Sequence, residues 1–567
     1  MTFLHWLAET LRAHPEIALF ATLALGYGIS RLRLGPIQLN AVVAVLLAGV
    51  LLGQLGIKVP DSVQWTFFAL FLFSIGYQTG PQFFRGLGRS ALPQVGLALL
   101  LCGTALATAF ALAKVFGFDA GQGAGLLAGG MNASAAIGTG GDAIAKLTLD
   151  PAVKQGLSTG LAVAFAVTYL VGLLTEIVVL TIVAPWLMRT DLAAECRKLE
   201  EELGVETGDL GVVSAYQEVT VRAYTVPETA VGRMVVDLER LFEPARVFAQ
   251  RIRTAEGIED VSPRRVLQKG DVVALTGRVS TLAGPDNPLA GAEVNDPDLL
   301  NIPTVTVEVI LTAKAVAGQT LGRLRDTIGR EEFARGVLVR QITRTGKLLP
   351  LGLGTVVERG DVVTLVGPNQ QVAQFAAALG TALSPASSTD MVALAAAVAL
   401  GGLVGLATVR LGGLDVGLSM PVGILLGGLI AGWLRSTRPA LARVPEPVLR
   451  IFDSIGLTGF LAVVGINAGP GFVRGLGSSG PALVLAGVLV CLIPNLVTIL
   501  AGRYLFRLHP GVLLGICAGA GTSPAGLAAL QEKAKSRIPT LGYGVSYAVG
   551  NLLLALWGSV LVMALGT

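Results

Sequence analysis

Long apolar runs, interrupted by short polar clusters, fill both ends of the chain. In the first stretch the pattern predicts spans at Pro15–Ser30, Leu39–Gly56, Trp65–Gly80, Ala91–Val115 and Leu157–Leu187, with a softer, broken segment at Gly121–Gly141. A bilayer core takes about 20 residues of helix, so these runs read as membrane helices rather than barrel strands. The last 180 or so residues repeat the pattern, as in "ALVLAGVLVCLIPNLVTILAG" (Ala482–Gly502). Between them, from about residue 190 to 388, charges become frequent and apolar runs shorten to strand length, as in "TVTVEVILTA" (Thr304–Ala313).

The two membrane stretches are copies of one unit. "GYQTGPQFFRGLG" at Gly76 matches "GINAGPGFVRGLG" at Gly465 in eight of thirteen positions, an offset of 389 residues. The same offset sets Cys102 on Cys491, Gly130 on Gly519 and Ser134 on Ser523. The middle block repeats too: "QKGDVVALTG" (Gln268–Gly277) matches "ERGDVVTLVG" (Glu358–Gly367), 90 residues on. The predicted order is a membrane half (1–189), two soluble α+β modules (205–284 and 298–382) and a second membrane half (389–567).

Charge orients these elements. Arg31 and Arg33 follow the first span and Arg85 and Arg89 the third, whereas only Lys58, beside Asp61, lies between them. The positive-inside rule puts the first and third loops in the cytoplasm and the N-terminus outside. With five crossings and a re-entrant broken segment, the middle block is cytoplasmic. The second half then runs inverted, with Arg410 and Asp415 outside and Arg435, Arg438, Arg443 and Arg450 inside. An inverted repeat is the arrangement of many secondary transporters.

Unwound backbone at membrane depth is tolerated only where protein buries it or a cavity meets it. "GGMNASAAIGTGG" (Gly129–Gly141) and "CAGAGTSPAGLAAL" (Cys517–Leu530) are such interruptions at corresponding places, the best sequence pointer to a transport site. A helix N-terminus there offers free amides and a positive dipole end to a carboxylate. Asn132, Ala133 and Ser134, with Thr522, Ser523 and Pro524, are the candidate substrate-binding residues. The competing reading is that these small residues only let helices pack closely. Gln78 and Asn467, at equivalent places in the Gly-x-x-x-Gly-Pro motifs, are further candidates. The motifs themselves read as helix C-terminal turns, capped by Gly80 and Gly469 before the prolines. Glu176 and Asp142 are candidates for ion or proton coupling; Glu176 near a cytoplasmic helix end, in water, is the alternative.

Composition narrows the function. The chain has 567 residues, 53% hydrophobic and only 14% charged, with a mean hydropathy of +0.69. A formal charge of +4 without basic clustering gives no footprint for nucleic acid. Cys102, Cys196, Cys491 and Cys517 have no metal-ligand spacing and read as small apolar helix residues, so neither metal nor cofactor is expected. Residues 1–14 read as a retained interfacial helix. No catalytic triad order, HExxH or Walker lysine motif is present, which argues against an enzyme.

Together, "SAAIGTGGDAI" (Ser134–Ile144), the repeated Gly-x-x-x-Gly-Pro motif and "AGAGTSPAGLAAL" resemble the aspartate:alanine exchanger family of bacterial inner-membrane transporters. "KGDVVALTG" and "RGDVVTLVG" in the insert resemble C-terminal domains of regulators of potassium conductance. The resemblance implies an antiporter of aspartate, alanine or related carboxylates in the bacterial inner membrane, acting as a homodimer. A small regulatory ligand on the cytoplasmic insert would fit such modules. The second interruption reads "TSPAGL" where many relatives carry "TSTPAL", which leaves the substrate pair open. An ion-coupled symporter, or an ion transporter or channel gated by the insert, is the alternative, although no TVGYG-like filter and no Rossmann glycine motif after a strand is present.

Overall fold

The computed structural model describes the chain except for residues 1–2, 32, 35–36, 39, 87, 89–90, 204–218, 244, 246, 286, 329–333, 335, 345, 384–388, 412–413, 418, 439–440 and 567. Arg89 and the start of the first expected insert module (205–218) fall outside the described residues. Two compact units form: one from 1–202, 344–350 and 386–567, the other from 203–343 and 351–385.

In the membrane unit the first half comprises α1 (Phe3–Ala13), α2 (Pro15–Ser30), α3 (Ala41–Gly53), α4 (Asp61–Gly86), α5 (Leu92–Phe116), α6 (Ala120–Gly130), α7 (Ser134–Lys146) and α8 (Pro151–Val178). The second half follows with α9 (Met391–Leu406), α10 (Met420–Thr437), α11 (Leu457–Leu500), α12 (Pro510–Ala520), α13 (Pro524–Ala534) and α14 (Thr540–Leu565). Among the described residues, 6 helices are long and apolar enough to cross a bilayer, and four shorter apolar helices join them. With 44 residues, α11 is about 66 Å long, twice a hydrocarbon core, and contains two apolar spans that meet at Gly477–Ser479. It is the counterpart of α4 and α5 together, and Pro481 falls where the first half has Leu92.

The halves interlock. Gly76 and Gly80 of α4 lie against Leu425 and Leu429 of α10, while Gly465 and Gly469 of α11 lie against α3 at Gly49 and Gly53. Each copy of the glycine motif thus grips a helix of the other half. Both motifs sit inside continuous helices, so the expected C-terminal turns at Gly80 and Gly469 do not form. Pro81 and Pro470 are accommodated in α4 and α11. In a membrane helix neighbouring groups compensate the lost hydrogen bond, and here the glycines allow backbone to touch backbone.

Helices α6 and α8 run parallel: Gly121, Gly125 and Gly129 back onto Leu157, Leu161 and Phe165 in ascending order. The chain between them must therefore double back, and α6 and α7 form a hairpin. Leu565 packs on Gly123 at the start of α6 and its neighbour Gly566 on Leu147 at the end of α7, so both hairpin ends lie at one level. In the second half Gly515 and Gly519 of α12 back onto Pro539 and Tyr543 at the start of α14 in the same sense. With 11 to 13 residues, each hairpin helix is about 16–20 Å long and reaches only part-way through a bilayer.

The insert holds two five-stranded antiparallel sheets. The first has β1 (Val219–Thr225), β2 (Phe248–Thr254), β3 (Gly257–Asp260), β4 (Val272–Arg278) and β5 (Glu293–Val294), in the order β3-β2-β4-β1-β5. The second has β6 (Thr304–Leu311), β7 (Leu338–Arg344), β8 (Lys347–Leu348), β9 (Val362–Pro368) and β10 (Gly380–Leu383), in the order β8-β7-β9-β6-β10. The repeated "GDVV" makes the same turn in both. Gly270 and Gly360 take φ of +94° and +88°, and Asp271 and Asp361 each accept a backbone N–H three residues back at 2.8 Å.

Candidate functional site

Local sequence shapes each hairpin. Asp119 and Gln122 form a reciprocal capping box at the start of α6. His509 caps α12, with Pro510 as its first residue. At the tips the chain turns through three residues, Met131–Ala133 and Gly521–Ser523, with matching backbone bonds. Asn132 N donates to Gly129 O and Ala133 N to Ala128 O; Thr522 N donates to Gly519 O and Ser523 N to Ala518 O. Asn132 and Thr522 stand in the left-handed region at φ +53° and +54°. Asparagine enters that region readily, whereas a β-branched threonine is strained there.

These bonds correct the repeat register. The tips align at an offset of 390, Asn132 on Thr522, so Ser134 falls on Pro524 and Ala133 on Ser523, not Ser134 on Ser523. The extra residue in the second half coincides with a π-helical turn at Ala501–Leu505, the usual way a helix absorbs one insertion.

The tips touch: Thr522 Oγ1 donates to Met131 O at 3.3 Å. Glu176 of α8 joins them. Asn132 Nδ2 donates to its Oε2 at 3.0 Å, the Ser523 side chain lies against its carboxyl, and a methyl on Gly521 would lie 2.7 Å from Oε1. Ser523 Oγ also accepts the Gly526 N–H at 3.0 Å, capping α13, whose first residue is Pro524. Glu176 is 1% exposed and Asn132, Ser134, Thr522 and Ser523 at most 9%, while Pro524 is exposed. The carboxyl is therefore not in water at a helix end. Its equivalent in α14, by the alignment of Gly172 with Gly550, is Leu554.

The other candidates lie apart from this contact. Asp142 holds Lys146 at 2.6 Å within α7. Asn467 bonds the backbone N–H and C=O of Val59, tying α11 to the segment before α4. Gln78 donates to Asp453 Oδ2 at 2.6 Å and to Ser74 Oγ at 3.1 Å. Asp453, a second embedded acid missed by sequence reasoning, sits in a π-helical turn at Phe452–Gly456. The signal was the single acid in "RIFDSIGLTGFLAVVG".

The predicted permease membrane region, the family model of aspartate:alanine exchangers, matches residues 18–185 and 393–563, the two halves that carry these hairpins. The chain belongs to this permease family. The permease's residues 305–380 also match the TrkA-C domain, which covers the second sheet of the insert. An uncharacterized transporter of Shewanella oneidensis is 37% identical over 99% of this chain and 100% of its own length. One from Bordetella parapertussis is 38% identical over 98% of both chains, and one from Bradyrhizobium diazoefficiens is 36% identical over 91% of this permease and all of its own length. No solved structure matches significantly. The permease is a multi-pass membrane transporter, with two membrane segments flanking a β-containing insert.

Proposed function

We propose that this permease is an antiporter that exchanges aspartate, alanine or related amino acids and carboxylates across the bacterial inner membrane by alternating access. The observation that carries this reading is the meeting of the hairpin tips. Two half-helix N-termini, at Ser134 and Pro524, start beside the buried contact of Asn132, Thr522 and Ser523, from opposite halves of a repeat. Such ends present N–H donors and positive dipoles to a substrate carboxylate, with Asn132, Ala133, Ser134, Thr522, Ser523 and Pro524 around it. Because the hairpins return to the side they leave, each half crosses an odd number of times. That supports an inverted pair with the insert in the cytoplasm. The organisation we assign is a membrane half at 1–189, regulator-like modules at 205–284 and 298–382, and a second half at 389–567. The permease acts as a homodimer, with a small ligand regulating it through the insert.

The test is counterflow in proteoliposomes loaded with unlabelled aspartate or alanine, following uptake of labelled aspartate. Antiport requires uptake that depends on the internal amino acid and ignores sodium and proton gradients, and that falls at least about tenfold in Ser523→Ala. The buried Glu176 favours one second reading, an ion-coupled symporter; uptake that needs an ion gradient and no internal substrate decides for it.

A further inference from the structure

Resting on the tip site proposed above, a second recognition element can be separated from the helix N-termini. Glu176 offers two carboxyl oxygens: Oε2 accepts from Asn132 and the Ser523 side chain lies against the carboxyl, while Oε1 and Asn132 Oδ1 are buried without a hydrogen bond. Among the described residues Glu176 has no ion pair. Amide and carboxyl are adjacent, so Oε1 and Oδ1 form a pair of acceptor atoms without a donor, on side chains at most 8% exposed. Buried acceptors of this kind are costly unless a donor, best a cationic one, occupies them. The C-terminal ends of α6 and α12, at Gly130 and Ala520, reach the same place and add carbonyl dipoles of the same sign.

We propose that Glu176 and Asn132 form the ammonium subsite, so that the permease takes zwitterionic α-amino acids and discriminates against carboxylates lacking the amine. The α-carboxylate lies at the N-termini of α7 and α13 and the α-ammonium between Glu176 Oε1 and Asn132 Oδ1. A deaminated analogue leaves those oxygens unpaired and brings its own negative charge toward Glu176. The arrangement is one-sided, since α14 has Leu554 where α8 has Glu176. One orientation of the zwitterion follows from that asymmetry.

The test uses the full-length protein in liposomes, with labelled L-alanine and L-aspartate counterflow competed by L-alanine against propionate and L-aspartate against succinate. Wild type should prefer each amino acid over its deaminated partner by at least about tenfold. Glu176→Gln should lose about that factor for the amino acids and let propionate and succinate compete at least as well as in wild type, so that the amine preference collapses, with partial recovery in Glu176→Asp. Equal competition by succinate and aspartate in wild type overturns the subsite, and needs no variant to fold. So does a sodium requirement that Glu176→Gln abolishes while the amine preference survives, because the carboxyl then holds an inorganic cation. Counterflow of neither labelled amino acid overturns the underlying transport reading instead.

Discussion

A methyl group at Gly521 meets Glu176, whereas one at Gly515 meets main chain, and this difference separates function from stability. Gly521 has φ −77°, which alanine adopts freely, and the obstacle is Oε1 of a side chain that can swing away. Gly515 lies against the carbonyl of Pro539, where no rotamer gives relief. Gly521→Ala is expected to purify as a monodisperse protein with a melting temperature within a few degrees of wild type, yet to lose most transport because Glu176 is displaced. Gly515→Ala should lose at least about 1–3 kcal/mol through overpacking and be depleted in the membrane. Thermal melting and counterflow on both variants check this. At this scale the sequence was partly legible. Ser523 and Pro524 announce a helix start, and Glu176 stands out as an acid in an apolar run. That Glu176 faces both tips depends on a chain separation of 44 residues to Asn132 and far more to Ser523, which no local pattern encodes. Gln78 was legible as an amide at depth, but its partner Asp453 is 375 residues away.

Elements were legible wherever a local rule sets them and misjudged where a tertiary contact overrides it. The Gly-Pro steps at Gly80 and Gly469 look like helix ends because the local rule is sound in water. Backbone contact with α10 and α3 overrides it. The register of the hairpins slipped by one because a π turn leaves no mark in a glycine motif. In the insert the alternating strands and the "GDVV" turns were readable, while the link that closes the first sheet was not. Arg253 of β2 holds Asp296, after β5, with Nη2 to Oδ1 at 2.6 Å. The guanidinium keeps the Asp296 carboxyl below the usual carboxylate range. A depressed folded pKa contributes stability that is complete above the unfolded value, about 4, and disappears as pH falls through the folded one. Amide exchange in β2 and β5 of the full-length protein should therefore be slow at pH 7 and accelerate below about pH 4, once corrected for intrinsic rates. In Asp296→Asn that contribution is already absent at pH 7, and the acid-dependent step should shrink. Unchanged exchange in the variant at both pH values would remove the pair from any role in the first sheet.

At the scale of the whole molecule, duplication was legible from eight shared positions, but interlocking was not, since a repeat does not say which copy a helix packs against. The parallel courses of α6 with α8 and α12 with α14 supply the missing parity. If each hairpin leaves on the side it entered, residue pairs related by the repeat must lie on opposite faces of the membrane. Gly88, after α4, and its repeat partner Gly477 are exposed positions beside Arg85 and Arg474. The four native cysteines are at most 1% exposed, giving a quiet background for thiol labelling. Gly88→Cys and Gly477→Cys should thus react with a membrane-impermeant maleimide from opposite sides: Gly88→Cys only in inside-out vesicles and Gly477→Cys only in right-side-out ones. The positive-inside rule fixes that assignment through Arg31 and Arg85 on the inner face. Labelling of both positions from one side would make the crossing number even and the halves parallel. Two hairpins entering from the same face would then have to carry substrate without the exchange of equivalent states that an inverted pair provides.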